Sequence, residues 1–256
     1  MFLAALLTLF RAPSFAFPDA SATMQIVFRW LHFLAGITWV GMLYFFNLVN
    51  VPFLKEMDSV TKGKVIPSLM PRALWWFRWG AVVTVLFGLA LWGNIVEADA
   101  RNGAANGLSG ASSGRPMATF FIIWTLVFAF IYAAIMVLKI NKGSVIAIIV
   151  TVLVIIGSYL FLDLNTHGWE SNRLLSIGIG GGLGWIMMMN VWGIIWRINK
   201  KVVAWTRDNA VNGTAIPPQA PAMARVAFLA SRTNAYLSIP MLFFMAASSH
   251  YPMLGK

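Results

Sequence analysis

The sequence predicts an all-α integral membrane bundle of about six transmembrane helices preceded by a short N-terminal interfacial helix, forming a single domain over residues 1–256. Three observations carry this. Of the 256 residues, 59% are hydrophobic and only 11% charged, against ~45–50% apolar and ~25% charged in soluble domains. The mean hydropathy is +0.76. The apolar residues also gather into runs of the length that a hydrocarbon core ~30 Å thick demands, ~20 residues at 1.5 Å rise.

The spans lie near residues 25–49, 73–96, 117–138, 144–162, 174–198 and 222–248. The first five are nearly continuous apolar runs. The sixth is interrupted by Arg232, Asn234 and Pro240, so its first half is expected near the interface. Residues 1–22 form the N-terminal interfacial segment. Its MFLAALLTLF run resembles the apolar part of a signal peptide but lacks a basic start, and Arg11 and Pro13 interrupt it. Glu97–Pro116, rich in Gly, Ala, Ser and Asn, reads as a flexible loop, and Asp208–Ala222, with PPQAP, as an extended connector.

Charge sets the orientation. The formal net charge is +11, and the basic residues cluster at one set of loops: Lys55, Lys62, Lys64, Arg72, Lys139, Lys142, Arg197, Lys200, Lys201, Arg207 and Arg225. Basic loops mark the cytoplasmic side. Both termini are then expected in the periplasm, with the chain in a bacterial inner membrane. This clustering serves topology, and nucleic acid is not an expected partner. The chain has no cysteine, which excludes disulfides, thiolate metal sites and covalent c-type haem.

No Asp or Glu falls in the middle of a span, which argues against an ion pump. The candidate functional residues are therefore few. His32 lies two turns into the first span, with Gly36 and Trp39 further along the same face and Arg29 one turn outward. An imidazole in hydrocarbon must be hydrogen-bonded or ligated. Two readings follow: a b-type haem ligated by His32, with Arg29 near a propionate and Trp39 along an edge, or a structural histidine with Arg29 snorkelling to the surface. His250, at the end of the last span, falls on the same outer side and is the preferred second ligand. Together His32 and His250 could also hold a copper or zinc ion. His167 shares that side but reads as an ordinary loop residue. Asn190, near mid-span, reads first as a helix-joining amide and second as a cofactor contact. The glycines of GIGGGLG lack the Lys-Ser/Thr ending of a phosphate loop and read as a place where a helix, pigment or lipid comes close. LWWFRWG at 74–80 reads as an interfacial anchor with Arg78 reaching the inner surface.

Taken together, RWLHFLAGITWVG at 29–41, GWIMMMNVWGIIWRINKKVV at 184–203 and SRTNAYLSIPMLFFMAASSHYP at 231–252 resemble the membrane domain of the bacterial urate oxidase N-terminal family. ALWWFRWGA at 73–81 fits more loosely. The resemblance implies a multi-helix membrane domain in a redox setting, with urate oxidation proposed for some members and a periplasmic cytochrome c domain following it in many. It places His32, Asn190, Arg232, Asn234 and His250 at family-like positions. The chain departs from the longer members in having no CxxCH and no cytochrome c domain, in lacking a His-containing insertion, and in having Gly178 where they tend to have a His. Three functions are expected in order: a haem b electron-transfer protein with a periplasmic cytochrome c as partner, a cofactor-free accessory subunit of a respiratory or photosynthetic membrane complex, and a urate-oxidising enzyme.

Overall fold

The computed structural model describes residues 18–255; the apolar run at residues 1–17, expected as an interfacial helix, lies outside them. Six helices account for the fold: α1 Ala20–Glu56, α2 Ser59–Ala105, α3 Gly114–Val137, α4 Gly143–Asp163, α5 Asn172–Asn212 and α6 Ala220–His250. No strand occurs among the described residues. The first five are long and apolar enough to cross a membrane. With 31 residues, α6 has the length, and Thr233, Asn234, Ser238 and Ser248 are buried inside the bundle rather than left to lipid.

Several helices outrun the apolar stretches that announce them. Glu97 pairs with Arg101 one turn on, at 2.8 Å, and the Ala-rich residues between continue α2 to Ala105, into the expected loop. At its other end α2 begins at Ser59, where Asp58 caps it by accepting from the Val60 and Thr61 amides at 2.8 and 2.9 Å. The Thr61 hydroxyl and amide hold the Asp58 carboxyl below the usual carboxylate range. The end of α5 likewise runs on to Asn212, where Gly213 turns left-handed at φ +69° and stops the helix.

The interior is organised around α5, the most enclosed of the spans, whereas α1 is the least. Burial of apolar surface cannot drive helices together in lipid; close packing and interhelical hydrogen bonds do so. The glycines of α5 supply the first. A Cβ on Gly182 would lie 2.0 Å from the Trp124 ring, and one on Gly178 would lie 2.3 Å from Phe161. The close approach at these two glycines is thus made by aromatic side chains of α3 and α4. Indole groups supply the second. Trp124 Nε1 donates to the Gly178 carbonyl at 3.1 Å and Trp92 Nε1 to the Leu174 carbonyl at 3.0 Å. These rings are buried, and each tethers a different helix to α5. Gly182→Ala is expected to destabilise the fold by about 1–3 kcal/mol through overpacking, read as a lower thermal unfolding midpoint in detergent. Gly93→Ala, where an added Cβ meets nothing within 4 Å, should leave the midpoint unchanged or slightly raised.

Candidate functional site

His32 is positioned by a seam between α1 and α2. On α2, Gly80, Thr84 and Gly88 recur every four residues and form one small-residue face. Gly80 accepts Trp39 (a Cβ there would be 3.3 Å from the Trp39 Cβ), Thr84 meets Gly36, and Gly88 lies under the His32 ring. A Cβ on Gly88 would stand 2.8 Å from His32 Cε1. The His32 Nδ1 lies 2.7 Å from the Thr84 carbonyl oxygen. Because a carbonyl only accepts, Nδ1 carries the proton, and in the neutral ring Nε2 keeps its lone pair. The Thr84 hydroxyl is itself occupied, donating to the Gly80 carbonyl at 2.7 Å.

His32 lines a cavity of about 910 Å³ bounded by α1, α2, α5 and α6, with Phe120 of α3 also lining it. Its walls are mostly apolar, and Gly36, Gly88, Gly181 and Gly184 keep side chains out of it. Its polar groups gather toward the end where α1 and α5 begin and α6 finishes: Arg29, His32, Arg173, Ser248, Ser249 and His250. Among the described residues no Asp or Glu lines it. Trp39 also lines it; this ring is 1% exposed, and its indole N–H has no acceptor among the described residues. The structure therefore brings Arg29, His32, Trp39 and His250 to one cavity. It adds Arg173, Thr84 and Gly88, which the sequence reading did not single out. The four-residue spacing of Gly80, Thr84 and Gly88 was the available signal for the last two.

Among the described residues no group of three or more His, Asp or Glu converges as a metal cage would require. The arrangement suits a group needing one or two axial nitrogens within an apolar enclosure, with cations at its mouth.

The other sequence candidates lie elsewhere. Asn190 is fully buried between α5 and α6: its Nδ2 donates to Asn234 Oδ1 at 2.9 Å, and Asn234 Nδ2 donates to the Met187 carbonyl at 2.9 Å. The π-helical turn Val191–Ile195 follows it directly. His167 sits in the outer connection, where Arg115 donates to its Nε2 at 2.9 Å and its Nδ1 donates to Glu170 Oε1 at 3.0 Å. Both ring nitrogens are thereby engaged in holding that connection. Arg78 stacks over Trp196 with 3.9 Å from Cζ to the ring centroid, flanked by Trp192 and Trp79. Arg232 lies over Phe228 at 5.2 Å. The amide pair makes a testable joint. Asn234→Leu is expected to cost about 1–3 kcal/mol by orphaning Asn190. Asn190→Leu combined with it should cost less than the sum of the two single changes, measured by denaturant unfolding; strict additivity would show that the amides act independently.

No curated protein and no solved structure matches the chain. A family model described as urate oxidase N-terminal matches residues 56–256. That range contains Thr84, Gly88, Arg173, Asn190, Asn234 and His250 and excludes Arg29, His32 and Trp39. As the match covers most of the chain, the protein belongs to the urate oxidase N-terminal family.

Proposed function

We propose that the protein is a membrane redox protein whose cavity takes a b-type haem, with His32 Nε2 as one axial ligand and His250 as the preferred second. The observation that carries this reading is the commitment of His32 Nδ1 to the Thr84 carbonyl at 2.7 Å. A ligating histidine needs its other nitrogen anchored in this way, because the anchor fixes both tautomer and ring direction. The fit extends to the surroundings. A volume of about 910 Å³ suits a large organic group, glycines leave room for a flat one, and Arg29 with Arg173 complements a pair of carboxylates.

The haem would supply reversible one-electron transfer, with the axial ligands and the apolar lining setting its potential. The residues of the chain do the remaining work. Thr84 holds the His32 proton, Gly88 admits the ring, Trp39 offers an indole N–H, and the apolar walls exclude water. We place the basic loops in the cytoplasm of a bacterial inner membrane by the charge rule. The cavity mouth then opens at the periplasmic face, where a cytochrome c is the fitting electron partner.

A second reading, an accessory subunit of a respiratory or photosynthetic complex, is favoured by the aromatic surface of α2, on which Trp75 and Trp76 are 47% and 58% exposed. Absorption spectroscopy separates the two. Protein purified intact from haem-sufficient cells is expected to show a Soret band that His32→Ala abolishes. Gly88→Ala should weaken the band by displacing the ring, whereas Gly93→Ala leaves it intact. His250→Ala should retain the haem with an altered spin state. A protein without a Soret band that migrates on native gels only with other membrane subunits would support the accessory role instead.

A further inference from the structure

At the basic end of the bundle, far along α5 from the cavity, lies a second concavity. The polar extension of α5 runs alongside the beginning of α2, and the two meet closely where a Cβ on Gly63 would be 3.1 Å from the Ala210 Cβ. This contact clamps the two helices together. Between it and the membrane-embedded part of the bundle they enclose a groove of about 540 Å³, lined by Pro67 and Pro71 of α2 and by Lys200, Trp205, Arg207 and Asp208 of α5. The proline rings provide an apolar wall without donors. Trp205 is the residue type that settles at the headgroup level of a bilayer.

The electrostatics of the groove are one-sided. Among the described residues Lys200 and Arg207 form no ion pair; those residues contain only the Glu97–Arg101 and Glu170–His167 pairs, both at the opposite end. Among the described residues lining the groove Asp208 is the one carboxylate, and its Oδ1 is held along its own helix by Asn212 Nδ2 at 3.0 Å. Lys200 follows two residues after the apolar run 174–198, so the groove falls at the depth of the phosphate layer when α5 spans the membrane. Basic recesses between transmembrane helices on this side are suited to acidic lipid headgroups.

From this combination we infer that the groove is a binding site for the phosphate of an anionic phospholipid, with Lys200 and Arg207 as the phosphate ligands and Trp205 at headgroup level beside them. The site is independent of the haem cavity, since it shares no residue with it.

Native mass spectrometry of the delipidated full-length protein, titrated with phosphatidylglycerol or phosphatidylcholine, tests the assignment. Phosphatidylglycerol is expected to bind preferentially in a saturable first step. Lys200→Gln with Arg207→Gln should weaken that step about thirty-fold, as removal of two surface cations implies. Lys139→Gln with Lys142→Gln, equally basic but outside the groove, should leave it unchanged. Equal binding of both lipids, or equal weakening by the control pair, would overturn the assignment in favour of unspecific surface charge. Inorganic phosphate is added as a competitor. Its failure to displace the lipid supports a headgroup site, and displacement at a comparable concentration would overturn it in favour of a free-phosphate site. Because the spectrum of the haem cavity is read separately, failure here leaves that reading untouched.

Discussion

The bundle depends on what α5 lacks. At Gly178 and Gly182 there is no side chain, and the Trp124 and Phe161 rings occupy the space. In hydrocarbon there is no water to take an indole proton, so a buried tryptophan is stabilised by an acceptor in the protein. Trp124 finds it on the same glycine face, at the Gly178 carbonyl. Packing and hydrogen bonding are therefore satisfied by one placement. A larger residue at Gly182 would displace the Trp124 ring and strand its N–H together, and one at Gly178 would displace Phe161. That coupling explains why a single enclosed helix can organise its neighbours without help from the hydrophobic effect.

The same glycine run has a second face. Gly181 and Gly184 point away from the Trp124 contact and line the cavity, as successive residues 100° apart on a helix require. The cavity persists because no α5 side chain fills it there, while α1 is held on α2 through Gly80, Thr84 and Gly88 and touches α6 only sparsely. One sequence, GIGGGLG, thus closes the bundle on one side and leaves it open on the other. The openness is confined to the half where Arg29, Arg173, His32 and His250 gather. At the opposite end Arg78 stacks over Trp196 and its carbonyl accepts from Trp192 Nε1 at 3.3 Å, joining α2 to α5.

Much of this was legible in the sequence, for definite reasons. Apolar length declares a span directly, and alternation of spans forces Arg29, His32 and His250 to one end of the bundle, which is why those three meet at a single cavity. The ends of the helices were less legible, because Ser59–Arg72 and Asn199–Asn212 are polar and hydropathy does not report a helix outside the membrane. Pro67 and Pro71 are both accommodated within α2. The partner of His32 was hidden for another reason. The group it bonds is a backbone carbonyl, and no side-chain type announces one. The convergence of Arg173 with Arg29 on one cavity depends on how α5 is seated in depth, which spacing alone does not determine. The glycines of α5 were read as a contact surface; which of them met aromatic rings and which lined a cavity depended on rotation about the helix axis.

The family match begins at residue 56, so the two halves of the histidine seam stand differently toward it. The receiving half, Gly80, Thr84 and Gly88, lies within the matched region, together with Arg173 and His250. The inserted half, His32 with Arg29 and Trp39, lies before it. A helix face that combines small residues at four-residue spacing with an available carbonyl is poorly suited to lipid, because it offers little surface for packing. It is well suited to receiving a helix that carries one flat, polar side chain. The seam therefore makes α1 an integral wall of the cavity rather than a peripheral anchor, even though α1 is the least enclosed span. Whatever occupies the cavity meets a histidine whose direction is set by α2, and so by the part of the chain that defines the family.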